Sequence, residues 1–432
     1  MNKIQRCVSI LIPIIALTAL TPVVLAAPVE LSLDESIALA LKNNYNIKYY
    51  NSAREKSYWA LKEAEKNKGV SVTYTHTDER YNTPPSVLYG TDSYTYTNDF
   101  DNTVALSVPI YSGKKLEGEI DEANLALKEA DLDVAVAKQQ LKLDVITDYF
   151  NVLEYRNEAA VDQATVDNYK EHLDLVNAKF DIGMVAKTDV LTSQVDLADA
   201  QDTLIQAQNS YHNAVATLNN AIGLSHGTEL VLKDEFKYEK YPLTLEQCLQ
   251  YAEEHRPEIA QYEAKVTSAK DAIQVAKSGY LPTVDLTAEQ GWYDSHLPGA
   301  KNSNWLVKLT TSINLFDTGL TDSQVKQAQH NVDMVSDQAK QERDSILLNV
   351  RQYYLSMGEA EKRIETSKVS VNQAEENLRI EKERYKVGVD TNLDLRDAVL
   401  SLDSAKKTAI KALYDFNTYR AELEQAMGIP VK

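Results

Sequence analysis

The sequence predicts a mainly α-helical chain with a membrane β-barrel part, laid out as two structural repeats, and three observations predict it. The phrase "KFDIGMVAKTDVLTSQVDL" from Lys179 returns as "RYKVGVDTNLDLRDAVLSL" from Arg384, 205 residues later. Apolar residues recur at spacings of three and four over stretches of about 70 residues, close to the coiled-coil period of about 3.5. Four other stretches alternate apolar and polar residues with period two, which gives a strand two unlike faces.

Residues 1–26 read as an export leader. Lys3 and Arg6 precede an apolar run from Val8 to Leu25, and "VLAAPVE" offers a small-residue cleavage site after Ala26. A retained membrane helix is the alternative, and Pro13 and Pro22 count against it. Loss of Lys3 and Arg6 takes the formal net charge from −19 to −21, which argues against nucleic acid as a partner. Of the two cysteines, Cys7 leaves with the leader, so Cys248 has no internal disulfide partner. No later run of about 18 apolar residues exists, so any contact with a bilayer is made by strands.

The first repeat, 27–224, opens with a helix over about Asp34–Lys68. A hairpin over about 70–110 follows, with Val70, Val72, Tyr74 and His76 alternating against Ser71, Thr73, Thr75 and Thr77. Its return strand sets Val104, Leu106, Val108 and Ile110 against Ala105, Ser107 and Pro109. A long helix over 113–180 comes next, whose apolar seam has one clear exception, Asp162. The chain turns at Gly183 and returns as a helix over about Asp189–Ile222. After a linker, 225–242, the second repeat, 243–432, does the same. Its hairpin, about 282–315, sets Val284, Leu286 and Ala288 against Asp285, Thr287 and Glu289, then Trp305, Val307 and Leu309 against Leu306, Lys308 and Thr310. Offsets of 212 before the hairpins and 205 after them place seven extra residues in the first hairpin loop. The helices flanking each hairpin have about half the length of the long one, so two of them can stack end to end beside it.

Two hairpins make four strands with open edges. An open edge cannot persist in lipid, and bacterial membrane barrels need about eight strands or more, so closure requires further copies of the chain. The polar face carrying Asp285, Glu289 and Lys308 would line a water-filled lumen, and the lipid-facing positions carry no charge. The other reading is a periplasmic coiled-coil structural or adaptor-like protein without a pore.

The stretches "LSLDESIALALKNN", "LSVPIYSG", "SGYLPTVDLTAEQGWY" and "SQVKQAQHNVD", with the two repeated phrases, resemble the TolC family of outer-membrane efflux proteins over nearly the whole mature chain. The resemblance implies a homotrimer with one barrel of twelve strands in outer-membrane lipid and an α-helical tunnel through the periplasm. It implies an exit duct without chemistry of its own, serving a tripartite efflux pump or type I secretion system. Small molecules or polypeptides would reach it from a periplasmic adaptor and an inner-membrane transporter.

On the same resemblance the repeated phrases are the tunnel's periplasmic tip, where the turns Ile182–Gly183 and Val387–Gly388 meet the adaptor. Asp394 and Asp397 would ring the constriction and bind cations, and Asp189 and Tyr385 would join the contacts that hold it closed. Capping of the returning helices is the plainer role for Asp189 and Asp394. Asp390 stands where the resemblance expects a basic partner, and Lys187 or Arg396 is left to substitute. The seven histidines show no metal-ligand spacing. No phosphate-cradling glycine loop or Gly-x-Ser-x-Gly elbow is present, so neither cofactor nor catalytic site is expected.

Overall fold

The computed structural model describes residues 28–85, 90 and 93–431, and the expected leader lies outside them. Strand β1 (Val29–Leu31) leads into helices α1 (Leu33–Asn43) and α2 (Tyr45–Lys66). One helix was expected here and two form. Asn44 takes an extended conformation (φ −61°, ψ 132°), ends α1 and caps α2, its side chain accepting from the Asn46 N–H at 2.8 Å. The second repeat breaks at the same place, between α5 (Leu245–His255) and α6 (Pro257–Lys277). There the cause is Pro257, which has no N–H and pushes Arg256 to φ −69°, ψ 120°. Each first helix begins with a capping box, Ser32 with Glu35 and Thr244 with Gln247.

Strands β2 (Ser71–Thr83), β3 (Thr95–Ser112), β5 (Thr283–Asp294) and β6 (Asn302–Ser312) form one antiparallel sheet in the order β2-β3-β5-β6. The pairs Asp285↔Thr310, Glu289↔Leu306 and Thr287↔Lys308 put Asp285, Glu289 and Lys308 on one face. Val72, Tyr74, Val104, Leu106, Leu286, Val307 and Leu309 share the other. Two expectations change. Ile110 does not continue the apolar row, because the register shifts between Pro109 and Tyr111 and Tyr111 takes the place opposite Val284. Pro109 cannot donate to the ladder, and a bulge absorbs the defect. The apolar face is not free of charge either. Strand β2 runs on to Thr83, so Asp78 and Arg80 share the face of Val72 beyond His76.

Below the sheet run α3 (Lys115–Asp181) and α7 (Leu320–Lys386), each 67 residues and so about 100 Å long. Helix α3 packs against α2 and α4 (Lys187–Ile222), and also against α6 and α8 (Asn392–Ala426). The last two pack in turn against α7. The result is four columns side by side: α2 with α4, then α3, then α6 with α8, then α7. The segment expected as a plain linker contains β4 (Leu230–Leu232), which pairs in parallel with β1 and belts the columns at mid-height. Tyr149, fully buried on α3, fastens this belt. Its hydroxyl donates to the Leu31 carbonyl at 3.2 Å, lies 3.1 Å from Asp234 Oδ2, and accepts from the Asp234 N–H at 3.3 Å.

Tyr149→Phe keeps the ring and strands these partners. We expect a loss of about 1–3 kcal/mol, read as a lower unfolding midpoint in detergent with helical content unchanged. No shift in midpoint would mean that the belt is held by β-pairing alone.

Candidate functional site

The two repeated phrases form the two tight turns at the far end of the columns. Gly183 (φ 73°) and Gly388 (φ 80°) occupy the left-handed conformation that an L side chain resists. In the first turn the Met184 N–H donates to the Lys179 carbonyl at 2.9 Å and the Gly183 N–H to that of Phe180 at 2.9 Å. In the second, Val389 donates to Arg384 at 3.0 Å and Gly388 to Tyr385 at 3.1 Å. Both are the same C-terminal cap, in which two late carbonyls of a long helix are satisfied before the chain turns back. Ile182 and Val387 stand exposed at the apices, with Met184 and Val389 beside them.

The acids sort into different roles. Asp189 accepts from the Ala186 N–H at 3.1 Å and caps α4. Asp394 caps α8, accepting from the Thr391 hydroxyl at 2.7 Å and its N–H at 3.0 Å. The Thr391 hydroxyl first, then its N–H, hold the Asp394 carboxyl below the usual carboxylate range. Asp397 lies one turn further along α8 and is exposed like Asp394. Asp390 is spent within its own turn: Arg384 Nε lies 2.5 Å from it and the Arg384 Nη2 donates to its other oxygen at 2.8 Å. Of the two candidate basic partners, Lys187 lies over the Phe180 ring of its own hairpin at 5.4 Å, whereas Arg396 of α8 reaches Asp196 of α4 at 3.4 Å and so bridges the two hairpins. Tyr385 is 3% exposed, and its hydroxyl has no hydrogen-bond partner among the described residues.

The family model for outer membrane efflux proteins matches residues 39–224 and 248–429. The chain belongs to this outer membrane efflux protein family. Outer membrane protein TolC of Escherichia coli (strain K12) is 28% identical over 368 residues, covering 80% of this chain and 74% of that protein. The alkaline protease secretion protein AprF of Pseudomonas aeruginosa is 25% identical over 297 residues, 67% of this chain and 62% of its own. Among solved structures, the Campylobacter jejuni CmeC outer membrane channel superposes with a TM-score of 0.82 at 18% identity, over 92% of this chain and 85% of that one. This efflux-family chain is thus an outer-membrane protein with a periplasmic helical tunnel, an exit duct of an efflux or secretion system.

Within the tunnel wall, the seam between α3 of the first repeat and α8 of the second is charged where a coiled coil would be apolar. Asp162, the exception in the seam pattern, is buried and lies 2.5 Å from Lys407 Nζ, which also meets Asp403 at 3.2 Å. One turn along α8, Lys411 lies 2.8 Å from Asp415 and 3.8 Å from Glu154, and Arg363 of α7 closes on Asp415 at 2.8 Å. Asp162 is buried while Lys407 is 29% exposed, so removing the lysine leaves a buried charge uncompensated at less than the cost of about 3–5 kcal/mol for a wholly buried pair. Asp162 betrayed itself in the sequence by interrupting the apolar period. Its partner Lys407 gave no signal, since α8 lies 245 residues further along the chain and nothing local marks that lysine.

Burial pushes the Glu154 carboxyl up to about 7, with Glu158 and Asp415 adding to the shift and Lys411 opposing it. Asp148 is raised to about 6, by burial first and then by Asp144. An ordinary carboxylate titrates near about 4, so between about 4 and about 7 the folded tunnel holds more protons than the unfolded chain. The contribution of these groups to stability is complete below that window and is lost as pH rises through it. We expect a higher unfolding midpoint in detergent at pH about 5 than at about 8, and Glu154→Gln to narrow the gap. An equal gap in the variant would remove Glu154 from the account.

Proposed function

We propose that three copies of this chain close edge to edge into one duct and that the paired turns at its periplasmic end are its gate. The observation that carries this reading is a matched set of open edges. Among the described residues, strands β2 and β6 are unpaired on their outer sides, run in opposite directions and are exposed over nearly their whole lengths. Each therefore offers the antiparallel partner that the other lacks. The helical columns are open at the same two ends. On α7, exposed Met334, Leu348, Leu355 and Val369 fall at multiples of seven, one heptad position. The opposite edge presents Tyr45, Tyr49 and Trp59 on α2 and Leu191, Val195 and Ile205 on α4. A head-to-tail contact of this kind makes a ring when its rotation closes, and three copies would supply the twelve strands the family resemblance implies.

In such a ring Asp285, Glu289 and Lys308 line the barrel lumen, and the opposite face meets lipid. Asp394 and Asp397 form stacked acidic rings at the constriction and favour cations there, while Asp394 continues to cap α8. The exposed turns around Ile182 and Val387 offer apolar contacts to a periplasmic adaptor, through which an inner-membrane transporter delivers its cargo. Relatives named for efflux pumps and for protease secretion support both small molecules and polypeptides as cargo classes.

Membrane fractions should release the chain only with detergent, as a trimer on gels that dissociates on heating. A water-soluble monomer would end the proposal. In planar bilayers the wild type should prefer cations, and Asp394→Asn with Asp397→Asn should weaken that preference. A preference left intact by the double substitution would place the selectivity elsewhere.

A further inference from the structure

The tip raises a question that the capping geometry leaves open. With Asp390 neutralised inside its own turn, the α3–α4 and α7–α8 hairpins are joined by other contacts, among them Arg396 with Asp196 at 3.4 Å and Lys382 with Glu171 at 2.7 Å. We propose that Lys179 of α3 is the latch, and that it grips Tyr385 of α7 by its ring and its backbone carbonyl rather than by its hydroxyl. This assignment rests on the reading of the turns as a gate.

Lys179 is 8% exposed, unusual for a lysine one turn from the end of a helix. Its ammonium lies 4.2 Å from the centroid of the Tyr385 ring and donates to the Tyr385 carbonyl. Two forces act through one group. The ring face attracts a cation, and the carbonyl belongs to the last turn of α7, where the helix dipole is negative. His172 is on the same face of α3 one heptad earlier. It is buried, meets the Tyr385 ring edge-on at 5.0 Å, and hydrogen-bonds to Asn392 in the first turn of α8. Helix α3 thereby holds both the end of α7 and the start of α8.

The duplication explains why this lysine is free to reach across. At the offset of 205, Lys179 corresponds to Arg384, Phe180 to Tyr385 and Val185 to Asp390. In the second repeat the acid at 390 draws Arg384 back into its own turn. In the first, the corresponding Val185 offers no charge, and the cation crosses the seam instead. The unpartnered Tyr385 hydroxyl fits the same picture, since the grip uses other parts of the residue.

The test compares variants in planar bilayers and, independently of conduction, by pulsed-EPR distances between labels at Ile182→Cys and Val387→Cys in a Cys248→Ser background. Lys179→Met keeps the length of the side chain and removes its charge and donors. It should raise conductance several-fold and widen the distance between the turns, more than Asp390→Asn does, and Lys179→Arg should recover much of the closed state. Tyr385→Leu should open the tip further than Tyr385→Phe, which removes only the hydroxyl. Heat-stability of the trimer on gels separates opening from misfolding. A folded Lys179→Met trimer with wild-type conductance and tip distance would overturn the latch, as would Tyr385→Phe opening as widely as Tyr385→Leu. A wild type that never conducts would count against the duct, while the EPR distances would still decide the latch.

Discussion

The rest of the structure depends on what a strand edge can do in hydrocarbon. Among the described residues no further strand pairs with the outer sides of β2 and β6, and lipid supplies no hydrogen-bond partner there. A four-stranded sheet is too narrow to curl round and meet itself, which is the ground for proposing that neighbouring chains complete the barrel. Once the strands belong to a shared wall, the helices beneath inherit its spacing. Four columns stand below four strands, and the helical layer ends where the sheet ends.

The same constraint accounts for the internal duplication. A hairpin returns the chain to the side of the membrane where it started, so each hairpin needs one helix arriving and one leaving. The long helix then has to be brought back, and a half-length helix does that from the tip to the belt. One such unit is asymmetric, with a full column on one side and a divided column on the other. Two in sequence alternate divided and full columns, so α3 is flanked by a divided column on both sides and α7 on one. The breaks at Asn44 and Arg256 are where the arriving helix changes from the belt to the column.

Much of this was legible in the sequence because the governing signals are periodic. Period two fixed the faces of the strands, and spacings of three and four fixed the long helices, since each repeats often enough to outweigh local exceptions. What was not legible depends on single residues or on distant pairing. The bulge at Pro109 required knowing which partner strand would tolerate it. The three-residue strand β4 gains its meaning only from β1, about 200 residues earlier, and no local pattern announces so short a pairing. At the tip, the glycine caps were readable from composition, because Gly after a helical run has few other uses. The cross-seam contacts of Lys179, His172 and Lys407 were not, because each joins one repeat to the other.

Those contacts also show where the two matching halves of the sequence differ. The capping geometry is the same at both turns, down to the left-handed glycine and the two carbonyls it satisfies, because any helix that reverses there needs it. The charges have no such obligation. Arg384 stays in its own turn with Asp390, whereas Lys179, which has Val185 at the position corresponding to Asp390, reaches Tyr385 across the seam. Backbone demands are met twice in the same way, whereas side chains that face the other repeat meet a different neighbour in each half. The two turns are therefore alike in backbone and unlike in side-chain contacts. Helix α3 touches both members of the opposite hairpin, Lys179 and His172 meeting Tyr385 of α7 and His172 meeting Asn392 of α8.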